Sequence, residues 1–470
     1  MQPSALWLSV CTSLLVACQK PHDVPKPPPD PTDIPGNIDA IATKVLAESG
    51  VPSASVAAVV DGKIVYVHAY GDGRIEPKRP ASPQMRYSIG SISKQLTATA
   101  ILLLAEDGKL SLDDHVEQHL PGLTRGNDIT LRQLLSHTSG YPDYAPQDYI
   151  VPEWQQPISA EQILTRWAKV PLEFEPGTKY QYSNTNYVIA GQIVERISGM
   201  QLVDFLGARV FKQLGMTSVT NSDRAKLTDA DAQGTYRRAL GPLHPAPHEG
   251  PGWMYAAGEL AMTAEDLARW DISMIEQSIL KPASYHQLET EVLLANGAGT
   301  RYGLGLSVGL VQGHRELRHG GEVSGYVSSN VVLPDDKIAI VVLTNQDAVG
   351  AADNIASQVK DKLLRAVNAP SQASDRRIRD LLDGLAAGRI DLTVLTSNAA
   401  SYFTPAAVAE ISASLAPLGP PERFEPGIPT RRGGMTGRRY TVTYAEKTVS
   451  ISVYETDDGK IEQYLIESTH

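Results

Sequence analysis

The sequence predicts an α/β fold: one antiparallel sheet flanked by helices, with a helical region inserted into it, followed by a small α+β domain. Three observations predict it. Strand patterns occur near both ends of the first 367 residues, helical periods fill the stretch between them, and a polar, Pro-containing break at Asn368-Ala369-Pro370-Ser371 precedes a last segment with its own pattern.

At the front, residues 51–70 read as a hairpin. Ser55-Val56-Ala57-Ala58-Val59-Val60 and Ile64-Val65-Tyr66-Val67 flank Asp61-Gly62, a pair suited to a tight turn. At the far end, residues 302–311, 326–333 and 338–343 are rich in Val, Tyr and Leu and set apart by turn residues, so they read as strands. Between them, over about residues 91–285, apolar residues recur at helical spacing, as at Ile189, Ile193 and Ile197 before Gly199. A further helix is expected over 351–367. The last part, residues 375–470, carries a helix over 405–415, with Thr404 as N-cap and Pro405 where its missing N–H does no harm. Strands follow over 440–444, 448–454 and 461–466, the last two joined through Asp457-Asp458-Gly459. A helix on a curled, cystatin-like sheet is expected there, and without a cluster of chemistry it reads as a packing or oligomerising module.

The 470 residues exceed one small core, and 42% hydrophobic with 20% charged residues excludes general disorder. A formal net charge of -11 leaves no basic surface for phosphates, which excludes nucleic acid as the main partner. The two cysteines, Cys11 and Cys18, both lie in the first twenty residues, so the rest can form no internal disulfide and no Cys-based metal site. No metal or cofactor is expected. Residues 5–17 form an apolar run too short to span a bilayer but right for a signal-peptide core. Its end, Leu15-Val16-Ala17-Cys18, resembles a bacterial lipobox, which implies a signal peptide over 1–18 and Cys18 as the lipidated first residue of the mature chain. Pro-rich residues 19–36 then suit an extended tether. On that reading the protein is anchored to a membrane by lipid, in the bacterial cell envelope, facing the periplasm or exterior; an ordinary signal peptide with an incidental Cys is the alternative.

Ser91-Ile92-Ser93-Lys94 opens an apolar run over 96–105, hydrophobic nearly all round as in a buried central helix. The spacing puts Lys94 on the same face one turn after Ser91, within reach of its hydroxyl, and the helix start adds positive potential where an oxyanion would grow. The same pattern recurs at Ser278 to Lys281 and Ser357 to Lys360. Lys281 precedes Pro282 and Ser357 falls inside a helical stretch, so only Ser91 is placed to act. Alone, Ser91 reads equally well as an N-cap. Tyr182-Ser183-Asn184 sits on an ordered loop before the helix of Ile189, and alone reads equally as a turn with an Asn cap. His319-Gly320-Gly321 falls on a strand edge, where glycines let a substrate backbone approach; alone, a structural histidine suffices. His248-Glu249-Gly250, in a Pro/Gly-rich loop, reads as a turn.

Together, in this order, the three elements resemble the signature of the serine β-lactamase, penicillin-binding-protein and esterase superfamily: Ser-x-x-Lys, Tyr-x-Asn and a Lys-Thr-Gly or His-x-Gly strand. Leu134-Leu135-Ser136-His137-Thr138-Ser139-Gly140, Leu214-Gly215-Met216-Thr217 and Thr263-Ala264-Glu265-Asp266-Leu267-Ala268-Arg269-Trp270 are similar to stretches usual there. The resemblance spans about residues 37–367 and implies a β-lactamase-like fold. It implies Ser91 as a nucleophile that becomes acylated, Lys94 and Tyr182 sharing the general-base role, and Asn184 orienting Lys94 and a substrate amide. His319 and Gly321 would line the opposite wall, and the N–H groups of Ser91 and Glu322 would form the oxyanion hole. The strand departs from Lys-Thr-Gly: His319 is largely neutral at pH 7 if unperturbed and Gly320 has no side-chain donor, so an anionic substrate loses its partners. Small esters, amides or peptides without that carboxylate are therefore the expected substrates. A β-lactamase or a D-alanyl or D-amino-acid peptidase is one alternative; a catalytically silent penicillin-binding or scaffold protein is another.

Overall fold

A computed structural model describes residues 33–147, 149–367, 372–427 and 429–468. Cys11, Cys18, the apolar run, most of the tether and the break at 368–371 lie outside the described residues.

The hairpin forms as β1 (Ser53–Val60) and β2 (Lys63–Ile75), joined where Asp61 and Gly62 both take positive φ. A short β3 (Lys78–Pro80) follows, and the far end supplies β4 (Ser307–Val311), β5 (His314–Val323), β6 (Tyr326–Leu333) and β7 (Ile338–Thr344). They make one antiparallel sheet in the order β3-β2-β1-β7-β6-β5-β4, closed at its centre where Val56 faces Val342. Side chains alternate between faces: Ala57 and Val59 enter one core, Val56 and Ala58 the other. Because both faces are covered, Val56 to Val60 of β1 and Ile338 to Leu343 of β7 read as unbroken apolar runs rather than alternating ones.

One face is covered by α1 (Ile34–Ser49) and α5 (Ala351–Val367), through Ile38, Ile41 and Val45 from the first and Ile355, Val359 and Leu363 from the second. Helix α1 corrects the tether reading, since residues 34–36 are helical: Pro35 sits in the first turn, where its missing N–H costs nothing, and Asp33 accepts the Gly36 N–H at 3.0 Å. The other face carries α2 (Ser93–Glu106), α3 (Asn184–Ser198) and α4 (Ala264–Glu276). Every α2 residue from Ser93 to Leu104 is buried. Gln95 on α2 accepts the Trp270 indole N–H at 2.8 Å and donates to Asn330 on β6 at 3.0 Å, so polar bonds register this central helix between α4 and the sheet.

The region between the strand groups is not wholly helical. Tyr87–Ser88, Leu260–Met262 and Thr220–Asn221 form a small sheet, pairs too short to show a period of two. Residues 302–306, expected to be strand, are a loop, because Gly305 takes φ +83 and passes so close to α2 that a Cβ there would lie 2.7 Å from the Lys94 carbonyl oxygen.

After the break the chain builds a separate core from residues 378–464. Helix α6 (Gln372–Ala386) and α7 (Pro405–Leu415) accompany a five-stranded sheet made of Arg423–Pro426, Thr430–Arg432, Met435–Thr443, Thr448–Glu455 and Ile461–Ser468. Its helical layer is thus larger than the single helix expected, and its first helix begins before residue 375.

Candidate active site

Ser91 lies in a 3-10 turn, Gly90–Ile92, that runs straight into α2. Its hydroxyl caps nothing: it accepts from Lys94 Nζ at 2.9 Å and lies beside the Tyr182 phenol, which removes the N-cap reading. Lys94 is fully buried and also donates to Asn184 Oδ1 at 2.8 Å and to the Ala257 carbonyl at 2.8 Å, so all three ammonium directions are taken. Burial pushes its pKa down to about 7, with the charge of Asp143 acting the other way. Tyr182, partly buried with its ring 5.0 Å from Lys94 Nζ, is shifted upward by burial, its bond to Ser91 acting in opposition.

Asn184 is the first residue of α3, and it too caps no helix. Asp143 accepts from its backbone N–H at 2.9 Å and from its side-chain amide at 3.1 Å, which turns Asn184 Oδ1 toward Lys94. Sequence reasoning missed Asp143, although it stands three residues after Gly140 of a stretch it had singled out. Nothing in a pattern connects a carboxylate to an amide 41 residues away.

His319, Gly320 and Gly321 lie on β5, whose pairing with β4 ends at Arg318, so from His319 onward its outer edge borders the cleft among the described residues. Gly321 is required by contact: a Cβ there would lie 1.9 Å from the Ile89 carbonyl oxygen and 2.5 Å from Ser328 Oγ. The turn carrying Ser91 is therefore pressed directly on the strand, and a Cβ on Gly90, whose φ is +51, would sit 2.9 Å from the Glu322 nitrogen. Both ring nitrogens of His319 are engaged, Nδ1 with the Gly320 carbonyl at 2.6 Å and Nε2 with the Tyr302 hydroxyl at 2.8 Å. With Nδ1–H donating and Nε2 accepting, the ring is neutral; burial first and the Lys94 charge second push its pKa down to about 4.

Ser91, Tyr182, Asn184, His319, Gly320 and Gly321 line a cleft of about 710 Å³. Tyr144, Tyr149, Trp154 and Trp253 make one aromatic side, with the two indoles stacked at 5.4 Å. Asp143, Glu249, Glu322, Asp347 and Asp353 also line it, and among the described residues no Lys or Arg does. Glu249 corrects the reading of residues 248–250 as a mere turn: it accepts the Ser324 N–H at 2.9 Å and forms part of the wall. The rival serines stand apart. Lys281 immediately precedes a separate helix, Pro282–Leu288, and Lys360 on α5 is paired to Glu316 at 2.5 Å.

The sequence model described as Beta-lactamase matches residues 38–363, which contain every residue of this cleft. The chain belongs to the Beta-lactamase family. It is 28% identical to Penicillin-binding protein 4* of Bacillus subtilis over 320 residues, 65% of this chain and 70% of that one. A D-stereospecific amidohydrolase from Streptomyces sp. superposes with a TM-score of 0.60 at 27% identity, covering 69% of this chain and 97% of its own. An octameric penicillin-binding protein homologue from Pyrococcus abyssi matches in fold over 92% of this chain and 99% of its own, at a TM-score of 0.58 and 23% identity. As a member, the chain is a Beta-lactamase-family serine hydrolase, and the family's antiparallel sheet flanked by helices is the one described above.

Proposed function

We propose that this chain cleaves a small ester or amide lacking a carboxylate, through a covalent acyl-enzyme on Ser91. The observation that carries the reading is the buried Lys94 ammonium, 2.9 Å from Ser91 Oγ and driven toward the free amine near pH 7. As Ser91 Oγ attacks the carbonyl carbon, Lys94 Nζ takes its proton. Tyr182, which burial keeps protonated, hands its proton to the departing oxygen or nitrogen rather than acting as the base itself. The oxyanion is received by the N–H groups of Ser91 and Glu322, held together by the contact at Gly321. The Lys94 proton then passes to the Tyr182 oxygen, which restores both groups. Water attacks the acyl carbon as Lys94 Nζ takes its proton, the bond to Ser91 Oγ breaks, and that proton returns to Ser91 as the acid leaves.

The substrate follows from charge. An anionic group entering the cleft meets carboxylates and a neutral His319 whose nitrogens are already bonded, while the aromatic side favours an apolar group. The amidohydrolase likeness supports including amides. We place the protein in the cell envelope, lipidated at Cys18; Cys18→Ser is expected to release it from the membrane fraction, and a mature chain that begins beyond Cys18 without lipid would end that part of the proposal.

A fluorophosphonate probe is expected to label wild type on Ser91 and to leave Ser91→Ala unlabelled. Turnover of short p-nitrophenyl esters should exceed that of nitrocefin and of D-alanyl peptides. Absence of labelling would make the protein a silent binding module, and a preference for nitrocefin or D-alanyl peptides would overturn the substrate reading.

A further inference from the structure

His137 is fully buried and adopts φ +57, a left-handed conformation uncommon outside glycine. That conformation lets one residue serve three consecutive neighbours. Its carbonyl accepts the Gln181 N–H at 2.9 Å, its ring Nδ1 accepts the Ser183 N–H at 3.1 Å, and the ring lies against that of Tyr182 with centroids 4.2 Å apart. Tyr302 at 4.9 Å, Tyr187 at 5.3 Å and Tyr180 at 6.1 Å close the remaining sides.

Because Nδ1 accepts, the ring proton resides on Nε2, and Nε2 is buried with no hydrogen-bond partner among the described residues. An orphaned buried donor costs free energy that a leucine or phenylalanine filling the same space would avoid. The position therefore needs the acceptor rather than the volume. We propose that His137 is a positioning residue for Tyr182, gripping the backbone on both sides of it and backing its ring, so that the phenol hydroxyl meets Ser91 as Ser91 reacts. Burial first and the charge of Lys94 second hold its ionisation well below the usual imidazole range, which keeps Nδ1 an acceptor.

The inference rests on the reading of Ser91 as the acylated residue, and the test separates the two. Asparagine places an amide oxygen near the site of Nδ1, whereas glutamine places its amide near Nε2 and is closer in volume to histidine. The rate constant for fluorophosphonate labelling of Ser91, followed by intact mass, is to be compared in wild type, His137→Ala, His137→Asn and His137→Gln. A misplacement of about 1 Å costs roughly a hundredfold in rate, the loss expected for His137→Ala and His137→Gln, with His137→Asn recovering to within about tenfold of wild type. A wild-type rate in His137→Ala overturns the proposal, as does His137→Gln matching or exceeding His137→Asn. If His137→Ala fails to fold, the Asn-to-Gln comparison decides alone. Label that persists in Ser91→Ala, or a wild type that takes none, sinks the acyl-enzyme reading instead.

Discussion

At Lys94, burial and the charge of Asp143 pull in opposite directions, and burial wins: three acceptors surround the ammonium, yet its pKa falls to about 7. The folded state therefore binds fewer protons here than the unfolded chain, so stability rises with pH between about 7 and the ordinary value of 10.5. The stability difference between wild type and Lys94→Met is expected to shift in favour of wild type from pH 7 to pH 10, read from denaturant midpoints at each pH. For activity, kcat/KM on a p-nitrophenyl ester should fall as pH drops below about 7, and Lys94→Met should lose roughly 10²- to 10⁴-fold. An acid limb centred near 4 would point away from Lys94 as the base. At the opposite wall, a Cβ on Gly320 meets only the Ser328 carbonyl oxygen at 3.6 Å, so a side chain fits there. Replacing His319→Lys together with Gly320→Thr supplies a cation and a hydroxyl. The kcat/KM ratio of nitrocefin to ester is expected to rise by about ten- to a hundredfold, the worth of one charge-assisted hydrogen bond; an unmoved ratio would show that this strand does not set selectivity.

Between elements, the contact that matters most to the site is backbone on backbone. The Gly321 carbon faces the Ile89 carbonyl with no space for a methyl group, so Gly321→Ala must push β5 off the turn carrying Ser91. We expect roughly a hundredfold loss of kcat/KM with a cooperative unfolding transition retained, since a misplacement of about 1 Å suffices; full activity in that variant would remove Gly321 from the oxyanion geometry. Under the sheet, α5 is tied to β5 by Lys360 and Glu316, both only 8% exposed as side chains. Breaking one partner leaves a buried charge, so Lys360→Met should cost about 3–5 kcal/mol in denaturant unfolding. Adding Glu316→Leu should restore most of it, and a failure to recover would mean that the helix, rather than the ion pair, was disturbed.

On the scale of the whole molecule, the catalytic sheet closes through β1 and β7, and its two cores draw on residues 38–364, whereas the C-terminal core draws on residues 378–464. A chain ending at residue 367 is therefore expected to fold and to keep kcat/KM within about threefold of the full protein, since a self-contained core folds alone. Loss of the folded state on truncation, seen by circular dichroism, would show that the last segment is structural to the hydrolase.

The sequence by itself determined the elements whose signals are local. The Asp61-Gly62 turn, the apolar run of β7, the stop at Gly199 and the three-residue step from Ser91 to Lys94 each depend on neighbours within a turn or a strand. The antiparallel sheet followed from strands at both ends, and the family from the likeness of the Ser91, Tyr182 and His319 motifs, in that order, to a known signature. What only the tertiary structure decided is pairing across distance: Asp143 behind Asn184, Tyr302 on His319, Glu249 in the wall and His137 around Tyr182. It also decided α1, concealed by the proline in its first turn, and the loop over residues 302–306, set by how closely Gly305 approaches α2. Local periodicity records which face of an element is apolar, but a hydrogen bond between residues tens of positions apart leaves no period, and burial, which sets the pKa values of Lys94 and His319, exists only once the chain has packed.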